Sequence, residues 1–173
     1  MLPYVLLVAA VALERVAELI LSKRNIAWAL AQGGVERGLG HYPFMVVLHS
    51  ALLIACVVEA AFREFVPALG WPMLGLVVLA QALRWWCIAS LGPRWNTRVV
   101  VVPGRPLVRR GPYRWLRHPN YLAVVVEGAA LPLVHSAWIT AIAFTVLNAA
   151  LLAVRIRSEN GALGLAAPAG AAR

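Results

Sequence analysis

Residues 111–127 read Gly-Pro-Tyr-Arg-Trp-Leu-Arg-His-Pro-Asn-Tyr-Leu-Ala-Val-Val-Val-Glu. An arginine-dense polar stretch runs directly into an apolar helix, and the join carries Arg117-His118-Pro119-Asn120-Tyr121. Pro119 suits the first turn of a helix, where a missing N–H costs nothing. Polar groups gathered at the edge of an apolar span are costly unless they bind something.

Working outward, 62% of the chain is apolar and its mean hydropathy is +0.77. Soluble domains are nearer 45–50% apolar even with glycine counted. The chain therefore reads as an all-α integral membrane bundle of about five transmembrane helices. The expected segments are residues 2–21, 43–62, 72–91, 119–131 and 136–154. Pro43 and Pro72 mark expected helix starts and Pro132 an expected end. Few residues join the last two segments, so they form an antiparallel hairpin. Residues 1–160 read as one transmembrane domain and 161–173, rich in Ala, Gly and Pro, as a flexible tail. The N-terminus lacks the basic and cleavage-site pattern of a signal peptide and reads as a retained first span.

Thirteen of the sixteen Lys and Arg residues fall in the loops 22–42 and 92–118 and in the C-terminal stretch from Arg155. The positive-inside rule then places the N-terminus outside and these loops in the cytoplasm. The arginines border spans, which fits membrane lipids as partners and disfavours a nucleic acid. Cys56 and Cys87 lie in apolar runs and imply no disulfide framework. The histidines, at 41, 49, 118 and 135, show no zinc spacing, so no metal site is expected. No Walker loop or dinucleotide fingerprint occurs; Gly38-Leu-Gly40 runs into His-Tyr-Pro.

Other polar residues sit inside the spans. Glu14 and Glu18 share a face of the first helix beside Arg15. Their plainer reading is an interhelical ion network, the alternative a polar substrate chamber. Arg84, about 10 Å from the cytoplasmic end by helical rise, is expected to snorkel to the headgroups. His49 is expected to pack as an ordinary helix residue. Arg117, Arg114 and the first N–H groups of the helix opened by His118 and Pro119 are placed to hold a carboxylate. Tyr121 and Trp115 offer aromatic faces. Glu127 lies behind them in the apolar helix. The hairpin returns Arg155-Ile-Arg157-Ser-Glu159-Asn160 to the face that carries His118.

The run Gly111–Tyr121, Glu127 behind it, and Arg155…Glu159 after one hairpin together resemble the isoprenylcysteine carboxyl methyltransferase family. Ser22-Lys-Arg-Asn25, His41-Tyr-Pro43 and Leu91-Gly-x-Arg-Trp95 resemble a bacterial branch, associated with O-methylation of long-chain alkylpyrones or alkylresorcinols. The resemblance implies an S-adenosylmethionine-dependent methyltransferase in the bacterial cytoplasmic membrane, acting on a lipophilic substrate that enters from the bilayer. It places Tyr113, Arg117, His118, Pro119, Asn120 and Tyr121 in the cofactor site, closed by Arg155 and Glu159. Catalytic roles then fall to His118, Glu127 and Arg117. His118 or Glu127 is the candidate base for a phenolic acceptor; a carboxylate needs none. Ala123 and Asn160 stand where the family has a glycine and a second acid. Two other readings are a membrane NADPH-dependent reductase, which shares the Arg-His-Pro-Asn-Tyr element, and a non-enzymatic lipid-binding subunit.

Overall fold

The computed structural model describes residues 1–37, 40, 42–106 and 108–166. The expectations for Gly38, His41 and the tail beyond Ala166 lie outside the described residues. The described residues form five helices of 15 residues or more: α1 (Leu2–Ala31), α2 (Tyr42–Ala60), α3 (Pro67–Leu91), α4 (Pro119–Leu133) and α5 (Trp138–Ala166). Two strands of three residues each, β1 (Val35–Arg37) and β2 (Val99–Val101), interrupt the otherwise all-α fold. They pair antiparallel with Glu36 opposite Val100.

Three of the five helices, α2, α3 and α5, are long and apolar enough to cross a membrane by themselves. The other two differ for physical reasons. α1 has the length, 30 residues, but carries Glu14, Arg15 and Glu18 at its middle. α4 has 15 residues, about 22 Å by helical rise and short of a ~30 Å hydrocarbon core.

Pro43 is the second residue of α2, as expected. α3 begins at Pro67 rather than Pro72, so Pro72 lies inside it. A proline so near the start gives up only one backbone bond. α5 runs on to Ala166, which makes residues 161–166 part of the helix.

The connection Val134–Ala137 between α4 and α5 turns on Ser136, with φ 56°. Phe144 of α5 packs where Gly128 of α4 has no Cβ; any side chain there would meet the ring. The apolar core lies toward this turn, with Tyr4, Leu52, Cys56, Val77, Leu131 and Phe144 in one cluster. The Tyr4 hydroxyl donates to the Leu131 carbonyl at 3.1 Å, tying α1 to α4. Glu59 of α2 accepts the N–H groups of Ile139 and Thr140, at 3.1 and 2.7 Å, capping the start of α5 from another helix. Outward positions such as Leu13, Ile54, Leu79 and Ile142 are exposed, as lipid-facing residues are.

The opposite end is polar. The strand pair, the two 3₁₀ turns and the close of α5 gather there around the start of α4.

Candidate functional site

Two helix ends build the centre of the site. Pro119 opens α4 with His118 as its N-cap, so His118 and Tyr121 lie on the first turn with their rings stacked, centroids 5.2 Å apart. The last turns of α5 bring Arg155, Glu159 and Asn160 alongside. His118 Nδ1 lies 3.5 Å from Glu159 Oε1, and His118 Nε2 lies 3.2 Å from Asn160 Oδ1. The Tyr121 hydroxyl donates to Glu159 and accepts from Arg155 Nε at 2.9 Å. Arg155, Tyr121, Glu159 and His118 thus form one continuous polar chain across the hairpin.

Both ring nitrogens of His118 face oxygen acceptors. A neutral imidazole carries only one N–H, so this environment favours the imidazolium. The hydrogen bond to Glu159, more than any other influence, raises the His118 pKa above the usual histidine value. Asn160 supplies a neutral oxygen to His118 Nε2.

Arg155 is fixed on three sides, with Nη2 donating to the Thr97 carbonyl at 2.8 Å and Nη1 lying 2.6 Å from Met45 Sδ. The segment 92–98 is held by α1. Asn25 Nδ2 donates to the Trp95 carbonyl at 2.7 Å, and Ser22 Oγ lies 2.9 Å from Thr97 Oγ1. Two motifs named for the bacterial branch, Ser22…Asn25 and Leu91…Trp95, are therefore in direct contact. Gly111 opens the second 3₁₀ turn with φ 56°, close against Ser90. Arg110 Nε donates to the Ser90 carbonyl at 2.7 Å and pins the same corner.

These pieces surround a cavity of about 440 Å³, within the range of small-molecule sites. Tyr113, Arg117, His118, Asn120, Tyr121, Arg155 and Glu159 line it, all expected from sequence. Pro119 is buried behind them as the first residue of α4. Burial pushes the Tyr113 hydroxyl pKa up, so it stays protonated. Seven arginines line the cavity against one acid, Glu159. Trp28, Asn96 and Arg98 also line it and were not singled out from the sequence. Asn96 sits in a basic loop that offers a weak signal; Trp28, in the last turn of α1, offers none. Trp95 Nε1, Asn96 Oδ1 and Asn120 Oδ1 are buried without a hydrogen-bond partner. Each such atom costs about 1–3 kcal/mol, and all three belong to lining residues.

Glu127 is placed elsewhere. It is not among the lining residues and is bonded to Arg84 and to Arg15 Nη2, the latter at 3.1 Å. Arg15 Nη1 also pairs with Glu18 Oε1 at 2.8 Å, and Gln81 and Trp85 donate to Glu14. The plainer reading of Glu14 and Glu18, an interhelical network, is what the fold contains. Arg84 does not snorkel. Its side chain is 6% exposed and lies between Glu127 and Glu18. His49 packs against Phe144 with Nδ1 on the Met45 carbonyl. Cys56 and Cys87 are free and buried. Among the described residues no group of three or more His, Cys, Asp or Glu side chains is arranged to hold a metal.

The family model for isoprenylcysteine carboxyl methyltransferases matches residues 73–164. An uncharacterised protein of Bacillus subtilis, YpbQ, is 38% identical over 159 residues, 91% of this chain and 95% of that one. An uncharacterised protein of Haemophilus influenzae is 27% identical over 152 residues, 86% of this chain and 88% of that one. No solved structure matches the chain significantly.

Proposed function

Because the chain belongs to the isoprenylcysteine carboxyl methyltransferase family, whose members are integral-membrane methyltransferases, we propose that it transfers methyl from S-adenosylmethionine to an ionised oxygen of a lipophilic acceptor. The observation that carries this reading is the closure of the 440 Å³ cavity by the polar chain Arg155–Tyr121–Glu159–His118. When bound, S-adenosylmethionine supplies a methyl group on a sulfonium, already activated for direct displacement.

The residues then have little bond chemistry to perform and mainly align and desolvate. Arg117, exposed at the lip with Arg114, would hold the cofactor carboxylate beside the positive end of α4. Trp115, an exposed aromatic of the cavity lining, would offer a face for the base. Glu159, the one acid lining the cavity, would attract the sulfonium.

The acceptor class follows from the two candidate bases. His118 has both ring nitrogens engaged, by Glu159 and Asn160, and is not turned toward an acceptor. Glu127 is engaged by two guanidiniums away from the cavity. A phenol, with pKa about 10 by analogy with tyrosine, would need a base that the site lacks. A carboxylate, or an enol acidic enough to be ionised like that of a hydroxypyrone, needs none. The favoured acceptor is therefore a long-chain acid or hydroxypyrone rather than an alkylresorcinol. Its tail would come from the bilayer, and the arginine-lined cavity would lie on the cytoplasmic side of a bacterial cytoplasmic membrane with the N-terminus outside.

Incubating purified protein with methyl-labelled S-adenosylmethionine and lipid extract tests this reading. Label should enter the organic phase and, for a carboxylate acceptor, be released as methanol by mild alkali. No transferred label, with NADPH consumed instead, would replace this reading by a reductase.

A further inference from the structure

A second concavity, of about 400 Å³, lies on the outside of α1. Val16, Leu19 and Ile20 form its apolar wall, Lys23, Tyr42 and Arg98 lie at its polar end, and Ile26 lies one turn beyond Lys23. From Val16 to Lys23 the helix rises about 10 Å. The wall therefore follows the upper part of an acyl chain, and the cations stand at headgroup level. Lys23 is exposed. Arg98 is held over the Tyr42 ring, 4.6 Å from its centroid, with Nη1 on Glu36 Oε1 at 3.1 Å. A guanidinium has five N–H donors, so one bond to Glu36 leaves the others for a ligand. Lys23 and Arg98 against Glu36 leave one net positive charge at the mouth, which matches a single phosphodiester.

We propose that this groove is a binding site for one monoanionic glycerophospholipid of the surrounding leaflet, with its phosphate at Lys23 and Arg98. The inference does not depend on the methyltransferase reading. Charge complementarity and shape together separate it from general lipid contact. The floor of the groove is Ser22 and Thr97, joined at 2.9 Å. Thr97 is also the residue whose carbonyl holds Arg155, at 2.8 Å. Arg98 lines both this groove and the larger cavity. A seated lipid would thus brace the segment that positions Arg155.

Native mass spectrometry tests the site. The full chain is released from micelles holding equal phosphatidylglycerol and phosphatidylcholine of the same acyl composition. The wild type should retain one phosphatidylglycerol in preference to phosphatidylcholine. Lys23→Gln, at an exposed position, should weaken that preference about fivefold, the value of one cation near an anionic surface. Ile20→Trp fills the groove with its charges intact and should remove the retained lipid altogether. Arg63→Gln removes a cation at the other end of the bundle and should change nothing. Equal retention of the two lipids by the wild type would overturn the proposal. So would an Arg63→Gln effect as large as that of Lys23→Gln, which would reduce the preference to net charge.

Discussion

Removing Arg84 should harm this protein far more than neutralising Glu127, although the two are bonded to each other. The buried network holds three carboxylates, Glu14, Glu18 and Glu127, and two guanidiniums, Arg15 and Arg84. With every group ionised, its formal charge is one negative. Arg84→Met takes that to two negative and leaves Glu127 with Arg15 alone. The Glu127 and Arg84 side chains are 8% and 6% exposed. Breaking a buried pair by removing one partner costs about 3–5 kcal/mol. Glu127→Gln does the reverse: it brings the network to balance and keeps an oxygen for Arg84, so the loss should stay within about 1 kcal/mol. For a chain of this size 1 kcal/mol moves Tm by roughly 2–4 °C. Arg84→Met should lower Tm by roughly 6–20 °C and Glu127→Gln by no more than about 4 °C. Thermal unfolding of both variants in one detergent, followed by helical circular dichroism, makes the comparison. Methyl transfer per folded Glu127→Gln molecule should stay near wild type, because Glu127 lies outside the cavity lining. Equal Tm losses in the two variants would refute the charge count. A stable Glu127→Gln protein without turnover would restore Glu127 as a catalytic base.

Three further outcomes follow from the hairpin. The His118 pKa is raised by Glu159, so the pair's contribution is complete below the unfolded value of about 6.5 and fades as pH rises through the higher folded value; histidine NMR should show that value falling back toward 6.5 in Glu159→Gln. Gly128→Ala places a methyl group against the buried Phe144 ring and should cost about 1–3 kcal/mol of stability by overpacking, read as a loss of Tm with the helical spectrum unchanged at low temperature. Tyr121→Phe removes the hydroxyl shared by Arg155 and Glu159 and should weaken S-adenosylhomocysteine binding about tenfold, equivalent to about 1.4 kcal/mol, while leaving Tm within a few degrees.

Much of the site could be read from the sequence because its parts are local. Pro119 fixes a helix start, the spacing from His118 to Tyr121 is one turn, and a short connection forces Arg155 and Glu159 back to the same end. What a single chain hides is partnership across helices. Arg84 alone looks like a snorkelling residue; only packing shows that Glu18 and Glu127 lie against it. The same holds for Glu127, whose position in an apolar helix suits a buried base as well as a buried ion pair. The strands escape notice for another reason. Val35–Arg37 and Val99–Val101 are too short for an alternation pattern, and their pairing joins segments separated by two whole helices. Trp28 lines the cavity because β2 and the loop after it fold over the end of α1, which no periodicity announces. The departure at Asn160 also makes sense only in space, where its side-chain oxygen meets His118 Nε2.

Calorimetric titration of S-adenosylhomocysteine into the purified wild type and Glu159→Ala bears most directly on whether the hairpin ends enclose a methyl donor. Saturation near one equivalent in the wild type, with affinity at least tenfold weaker in a Glu159→Ala protein of unchanged helicity, is the expected result. Equal affinity in the two proteins, or wild-type binding of NADPH with no heat from S-adenosylhomocysteine, would contradict it.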